Sequence, residues 1–276
     1  EVVVISRSGP DNYENLSRHA DAEIVVNTTP VGMYPVNGAA PVDLTAFPAC
    51  RGVLDVIYNP RRTALLQQAE ALDIPCSDGL PMLVAQAKAA EEHFFGTAIP
   101  DGENERILAQ LRQETENIVL IGMPGCGKTT VGHLLAQKTG REAIDLDERI
   151  AARAGCSIPE IFARGGEADF RVLEREETAK AGALSGKILL TGGGVVKTAE
   201  NYPSLHQNGR IYHLLRPIGE LATDGRPLSQ GADLSAMWAE REPLYRRFRD
   251  VVIENTGTVE DTADGIWRDF CAHSGD

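Results

Sequence analysis

Short runs of apolar residues alternate with helix-like patterns along the whole chain. Three runs lie in the first part, at Val2–Ile5, Ile24–Val26 and Val53–Ile57. Five more follow, at Ile118–Ile121, Ala143–Leu146, Ile188–Leu190, Ile211–Leu215 and Val251–Ile253. Strand-length runs separated by helical segments are typical of parallel sheets in α/β proteins. The pattern therefore predicts two α/β domains, each with a parallel sheet flanked by helices.

Turn-forming residues interrupt this pattern before the fourth apolar run. The segment Gly96–Gly102 holds two glycines and a proline, and a polar stretch with helical spacing follows it up to about Asn117. We place the domain boundary there and expect domains at 1–116 and 117–276. Because the chain starts at Glu1 and enters an apolar run at once, we expect it to be a piece of a longer protein, cut at its amino end.

The most informative motif follows the fourth apolar run. The stretch Gly122–Thr129 matches Gly-x-x-x-x-Gly-Lys-Thr between a predicted strand and a predicted helix. Its glycines let backbone N–H groups close around an oxyanion, and the helix start adds partial positive charge. Lys128 can reach the outer phosphates of a nucleotide, and the Thr129 hydroxyl can ligate Mg²⁺. The motif predicts nucleoside triphosphate binding.

Five polar or glycine-rich motifs follow in order: Asp145-Leu146-Asp147, Phe170-Arg171, Gly192-Gly193-Gly194, Arg226-Pro227-Leu228 and Arg241-Glu242-Pro243-Leu244-Tyr245. The first closes a predicted strand, whose alternation would turn Asp145 and Asp147 to one side, although two helix-capping acids are an alternative. The arginine of the second lies in an acidic helix, where a solvated ion pair is the usual role. Three glycines permit close backbone approach to a ligand, but could also form a plain turn. We expect the last motif to open a late helix.

In this order the phosphate loop and the five motifs resemble those of shikimate kinase, over about 117–276. The resemblance implies a P-loop kinase fold, similar to nucleoside monophosphate kinases. It implies transfer of the γ-phosphoryl group of ATP to the 3-hydroxyl of shikimate, a step of chorismate and aromatic amino-acid biosynthesis. The implied ATP site comprises Gly125, Cys126, Gly127, Lys128, Thr129, Thr130 and Arg226, with Mg²⁺ at Thr129 and Asp145. The implied shikimate site comprises Asp147, Arg171, Gly192, Gly193, Gly194 and Arg241, with Glu174 orienting Arg171. Lys128, Asp147 and Arg226, the last on a lid, would be catalytic.

The first domain resembles the NADP-binding carboxyl-terminal part of shikimate dehydrogenase. The matching stretches are Val4–Ser8, Asn27–Met33, Asp55–Pro60 and Asp78–Gln86. The resemblance implies that NADP is held by Ser6, Arg7, Ser8, Val56 and Gly79, and that Tyr58 and Gln86 contact shikimate. The glycine-rich turn of the Rossmann fold and the family's catalytic amino domain have no counterpart here. We therefore expect a partial Rossmann-like domain without dehydrogenase activity, derived from a bifunctional parent.

Composition narrows the range of partners. A net charge of −13 disfavours nucleic acid, whose phosphates would be repelled. No apolar run approaches the roughly 20 residues that a membrane helix needs. Five cysteines without metal-ligand spacing favour reduced thiols and a cytoplasmic location. The expected partners are shikimate and ATP, without membrane or nucleic acid, and the kinase domain is expected to act as a monomer.

Two alternatives remain open at this point. One is another small-molecule P-loop kinase, such as a gluconate kinase, and the other is a nucleotide-binding module without catalysis. The pair Arg171 and Arg241 with Asp147 favours shikimate, because an arginine fork fits a planar carboxylate. The full set of charged residues argues against an unused site, since buried charges cost stability.

Overall fold

The computed structural model describes residues 1–221 and 233–273. The chain divides into two compact units, Glu1–Asn104 and Glu105–Asp276. The division lies before the boundary expected at 116, and a helix, α3 (Gly102–Thr115), spans it. Within the described ranges no helix is both long and apolar enough to cross a bilayer.

The first unit contains a three-stranded parallel sheet in the order β1 (Ile24–Asn27), β2 (Gly52–Asp55), β3 (Cys76–Ser77). Its helices are α1 (Ala64–Ala71) and α2 (Leu80–Phe95). Val53 of β2 packs with Leu65 and Leu66 of α1 in a small buried cluster. This part of the chain therefore has the expected α/β character.

One expected strand of this unit is absent. Val2–Ile5 forms no strand, and next to it only an isolated bridge joins Ser6 to Asn12. Apolar β-branched residues favour a strand only when a neighbouring strand accepts their backbone hydrogen bonds and a second layer covers them. Val2 and Val4 are 89% and 77% exposed, so neither condition is met within the described residues.

The second unit contains a five-stranded parallel sheet in the order β5-β6-β4-β7-β8. The strands are β4 (Asn117–Ile121), β5 (Ala143–Asp145), β6 (Ile188–Leu190), β7 (Gly209–Leu215) and β8 (Val251–Glu254). The helices are α4 (Lys128–Thr139), α5 (Leu146–Ala154), α6 (Ile158–Gly182), α7 (Asn201–His206), α8 (Leu234–Phe248) and α9 (Val259–His273). Ile118–Ile121 are fully buried, as a central parallel strand covered on both faces requires. The loop after β4 therefore emerges at the middle of the carboxyl edge, where α/β proteins bind ligands.

The start of one helix in this unit differs from the expectation, and another helix is bent. Helix α8 begins at Leu234, well before Arg241, because the Asp233 carboxylate caps it by accepting from the N–H groups of Ser235 and Ala236. Pro243 lies inside this helix and does not mark its start. Helix α6 is bent at Gly166, where φ is 71°. Arg171 and Arg241 therefore both lie within helices, on α6 and α8.

Candidate active site

The phosphate loop joins β4 to α4, and its conformation depends on its glycines. Gly122 and Gly127 have φ of +146° and +99°, a region that other residues rarely adopt. A Cβ on Gly122 would lie 2.6 Å from the carbonyl oxygen of Leu214. A Cβ on Gly127 would lie 2.6 Å from Nδ2 of Asn255. Conformation and close packing both exclude a side chain at these positions.

Lys128 opens α4 and is only 8% exposed. Its Nζ donates to the carbonyl oxygens of Gly122 and Met123, at 2.8 and 3.1 Å. The next two residues, Thr129 and Thr130, are exposed at the start of the helix. The loop thus holds one buried ammonium beside a helix N-terminus, an arrangement suited to an anion.

Asn255 stabilises the phosphate loop by a hydrogen bond to its backbone. The sequence did not predict this role. It follows β8, is 4% exposed, and its Nδ2 donates to the carbonyl oxygen of Cys126 at 2.7 Å. Thr262 on α9 fixes the Asn255 amide by donating to Oδ1 at 2.8 Å. The bond fixes the peptide between Cys126 and Gly127. A single asparagine after a strand carries no recognisable pattern, so only the fold reveals this role.

His213 on β7 packs behind the loop and is fully buried. Its ring stacks on Tyr245 with centroids 4.6 Å apart, and its Cδ2 lies 3.5 Å from the position of a Cβ on Gly122. Burial, reinforced by the charges of Arg249 and Lys128, lowers the pKa of His213 to about 4. The ring is therefore neutral at neutral pH and adds no repulsion to the Lys128 ammonium.

The two acids at the end of β5, Asp145 and Asp147, have different structural roles. Asp145 ends the strand and caps α5, because its Oδ1 accepts from the N–H groups of Asp147 and Glu148 at 2.9 and 3.4 Å. The other oxygen of Asp145 has no hydrogen-bond partner within the described residues. Asp147 lies in the first turn of α5, so the expectation that strand alternation orients it was wrong. Because Asp145 caps α5, the strand ends at Asp145 and Leu146 begins the helix.

The loop Gly192–Gly194 after β6 lies against both the acid and one of the arginines. A Cβ on Gly192 would lie 2.8 Å from Oδ1 of Asp147, and one on Gly194 would lie 2.8 Å from Nη1 of Arg171. A Cβ on Gly193 would lie 2.6 Å from Cδ of Pro124 in the phosphate loop. The three glycines therefore bring the phosphate loop, Asp147 and Arg171 into one place.

Arg241 reaches the same loop from α8. Its Nη1 donates to the carbonyl oxygen of Gly193 at 3.1 Å, and the hydroxyl of Tyr245 donates to the same oxygen at 2.5 Å. Arg241 and Tyr245 are four positions apart, so they lie on one face of the helix. The structure thus brings Asp147, Arg171 and Arg241 around Gly192–Gly194.

Two glutamates orient the Arg171 guanidinium. Nη1 donates to Oε2 of Glu174 at 2.6 Å, while Nε and Nη2 donate to Oε1 of Glu167 at 3.2 and 2.9 Å. Burial raises the pKa of Glu174 and Asp147 adds to this, whereas Arg171 and Arg241 oppose it. A guanidinium has five N–H donors, so Arg171 keeps N–H groups on Nη1 and Nη2 for a ligand. The place of Glu174 beside Arg171 is the one the resemblance implied.

Two buried polar atoms beside this loop have no hydrogen-bond partner in the described part of the chain. They are Oε1 of Glu174 and Nε of Arg241. Glu174 Oε1 lies 3.4 Å from the position of a Cβ on Gly192. Buried polar atoms are normally paired, so an unmatched acceptor and an unmatched donor indicate a site for a polar ligand.

Arg226, the expected lid residue, lies outside the described residues. Thr129 and Asp145 fit a magnesium ion by their chemistry, because the Thr129 side chain is exposed and Asp145 has an oxygen not used for capping. Magnesium is usually bound through one or two protein oxygens together with substrate phosphates. Thr129 and Asp145 therefore provide enough protein oxygens for a magnesium ion that also binds substrate phosphates.

In the first unit, Ser6 and Arg7 line a cavity of about 390 Å³ together with Tyr13 and Thr29. Ser8 is exposed beside them. The Ser6 hydroxyl also accepts from the N–H of Gly9 at 2.8 Å, which shapes this turn. An arginine that lines a cavity is suited to bind a phosphate group.

The other expected residues of this unit lie after β2 and on α2. Gly79 packs directly against the backbone of Val56, where a Cβ would clash with the Val56 carbonyl. Tyr58 and Gln86 are both exposed, and no hydrogen bond joins them in this part of the structure. The structure therefore brings Val56 and Gly79 together, but it does not link Tyr58 to Gln86.

Comparison with known proteins gives a consistent result for the second unit. The shikimate kinase family profile matches residues 124–270. Shikimate kinase of Bordetella avium (strain 197N) is 42% identical over 161 residues, which cover 55% of this chain and 76% of that protein. Shikimate kinase of Synechococcus sp. (strain CC9605) is 40% identical over 164 residues, covering 56% and 82%.

Solved structures add two further similarities. Shikimate kinase from Acinetobacter baumannii in complex with shikimate has a TM-score of 0.55 and 33% identity, covering 59% of this chain and 97% of that one. Shikimate dehydrogenase 1 from Peptoclostridium difficile is 32% identical, covering 39% of this chain and 43% of that one, with a TM-score of 0.36. The second score is too low to establish a shared fold.

Proposed function

The chain belongs to the shikimate kinase family, and from that premise we propose that its second unit transfers the γ-phosphoryl group of ATP to the 3-hydroxyl of shikimate at the site around Gly192–Gly194. One observation carries the proposal. Asp147, Arg171 and Arg241 all reach this loop, and the loop itself packs against Pro124 of the phosphate loop. A carboxylic acid with hydroxyl groups would therefore lie next to the end of a bound nucleotide.

The two arginines would bind the substrate carboxylate. Arg171 retains N–H groups on Nη1 and Nη2, and Arg241 has a buried Nε without a partner in the described residues. Charge-assisted bonds from rigid guanidinium groups fix both the position and the plane of a carboxylate. Binding at one end of the ring would place a hydroxyl at the other end next to Asp147.

Asp147 would orient that hydroxyl and accept its proton. The hydroxyl oxygen forms a bond to the γ-phosphorus, its proton passes to the Asp147 carboxylate, and the bond from phosphorus to the β–γ bridging oxygen breaks. Asp147 lies close to the Gly192 position and shares this space with Oε1 of Glu174, which has no hydrogen-bond partner among the described residues. Holding the two reactants in line supplies most of the rate of a phosphoryl transfer.

The phosphate loop would carry the charge of the transferring group. Lys128 is held within the loop, and its ammonium can exchange the carbonyl oxygens of Gly122 and Met123 for phosphate oxygens. Bound magnesium, held by Thr129 and through Asp145, would add further neutralisation of the phosphates. Such preorganised charge stabilises the transition state without reorganisation at the moment of reaction.

The direct test is ADP release by this chain with ATP and magnesium, measured alone, with shikimate and with gluconate. We expect release that depends on shikimate, with a phosphate ester on the 3-hydroxyl identified by phosphorus NMR. ADP release with gluconate but not with shikimate would indicate that the chain is a gluconate kinase instead. Tight nucleotide binding without turnover of either acid would indicate a non-catalytic module.

For the first unit we propose NADP binding, as part of a bifunctional protein that also carries shikimate dehydrogenase. Support comes from the four matching stretches, from the cavity lined by Ser6 and Arg7, and from the close packing of Gly79 on Val56. Arg7 would pair with the 2′-phosphate that distinguishes NADP from NAD. Val56 and Gly79 would border the nicotinamide, while Tyr58 and Gln86 would contact the acid.

Arg7→Ala is expected to weaken NADPH binding about tenfold or more, because a charged hydrogen-bonded pair is lost. NADH binding should stay unchanged, and binding is measured by nucleotide fluorescence on the whole chain. Arg51→Ala is the matched control, since Arg51 forms an exposed ion pair with Glu23 in the same unit. Equal loss of NADPH and NADH affinity, or no NADPH binding by the unchanged chain, would contradict the proposal.

A further inference from the structure

Lys197 links the two helices that carry the arginines of the site. It ends a short 3-10 helix (Val195–Lys197) directly after the triple glycine, and its N–H donates to the carbonyl oxygen of Gly194 at 2.9 Å. Its Nζ lies 2.9 Å from Oε1 of Glu167 on α6 and 3.4 Å from Oε1 of Glu240 on α8. One ammonium group therefore connects both helices to the substrate loop.

The bond to Glu167 affects Arg171 through a shared oxygen. Oε1 of Glu167 is the same atom that accepts from Nε and Nη2 of Arg171. Hydrogen bonds from Lys197 and then from Arg171 lower the pKa of Glu167 to about 2. Glu167 therefore stays ionised at any working pH, and its Oε1 interacts with both Lys197 and Arg171.

The ion pair between Lys197 and Glu240 lies next to Arg241. Glu240 directly precedes Arg241 on α8, and Arg241 donates to the carbonyl oxygen of Gly193. The Lys197 side chain is 26% exposed, so its ammonium is partly shielded from solvent, while the Glu167 and Glu240 side chains are 50% and 55% exposed. A contact at this point fixes the turn of α8 that presents Arg241 to the loop.

We propose that Lys197 is a positioning residue that holds Arg171 and Arg241 for the carboxylate of the substrate. The inference rests on the proposed function. Without the Lys197 ammonium, the Glu167 carboxylate would interact more strongly with Arg171 and compete with the substrate for its N–H groups. The turn of α8 at Glu240 would also lose its link to the substrate loop. Both changes weaken acid binding and leave the phosphate loop untouched.

Steady-state kinetics of the whole chain test this inference. Lys197→Met should raise the KM for shikimate about tenfold, while kcat and the KM for ATP stay within about twofold. Lys197→Arg keeps the charge and should raise that KM by no more than about threefold. The matched control is Lys187→Met, because Lys187 is similarly exposed and forms a 2.9 Å pair with Glu142 away from this loop. All three parameters should stay at the wild-type value in the control.

Glu240→Gln removes the ion pair between Lys197 and Glu240 and keeps the pair between Lys197 and Glu167. It should raise the KM for shikimate about threefold, and the double variant with Lys197→Met should show less than the product of the two effects. If Lys197→Met does not fold, Glu240→Gln and Lys197→Arg decide, and a wild-type KM in Glu240→Gln would overturn the inference. A wild-type KM in folded Lys197→Met, or equal losses in kcat and in ATP binding, would also overturn it. Failure of the unchanged chain to phosphorylate shikimate would instead refute the proposed function.

Discussion

Lys128→Met is expected to lower kcat by about a thousandfold or more, because the charge that meets the transferring phosphoryl group is lost. Methionine has nearly the length of lysine and fills the same buried space, so folding should persist. The carbonyl oxygens of Gly122 and Met123 would lose their donor, which we expect to cost some stability without unfolding the chain. ADP release with saturating shikimate and ATP measures the effect.

A second lysine on the same helix provides the control. Lys138 lies in the last turn of α4 and pairs with Asp264 on the surface. Lys138→Met should retain wild-type kcat and wild-type KM for ATP. If Lys128→Met kept kcat within about tenfold of wild type, the phosphoryl group would not be transferred at this loop as proposed.

Asp147→Asn is expected to lower kcat by about a hundredfold to ten-thousandfold, the range for loss of a general base. The amide has the same shape but cannot accept the hydroxyl proton, so the effect should fall mainly on kcat. The KM for ATP should stay unchanged, since Asp147 lies against Gly192 of the substrate loop. Single-turnover phosphorylation of shikimate separates chemistry from product release.

The neighbouring acid is the natural comparison. Glu148 is exposed on the same turn of α5, so Glu148→Gln should leave kcat and both KM values unchanged. Near-normal turnover and shikimate affinity in Asp147→Asn would remove Asp147 from the mechanism. Loss of ATP binding in that variant would show that the substitution had disturbed the phosphate loop instead.

The sequence predicted the parts of the site that depend on local chemistry. The glycines of the phosphate loop and Lys128 lie within one short segment, so strand, turn and helix can be read together. The family resemblance added Asp147, Arg171 and Arg241, which lie far apart in the chain. Their meeting at Gly192–Gly194 follows from a sheet order that no local pattern contains.

The remaining features depend on contacts between distant segments. Asn255 reaches the carbonyl oxygen of Cys126 across the sheet, and Lys197 reaches both Glu167 and Glu240. Neither residue belongs to a motif. The position of Asp147 was also misjudged, because Asp145 accepts a capping bond from the Asp147 N–H and the strand ends earlier than the apolar pattern indicated.

A crystal structure of the chain with shikimate and ADP would show directly how the substrate lies between the two arginines and Asp147. We expect the shikimate carboxylate within hydrogen-bond distance of both Arg171 and Arg241, with the 3-hydroxyl at Asp147. A ring bound elsewhere, or one turned with its carboxylate towards the phosphate loop, would contradict it.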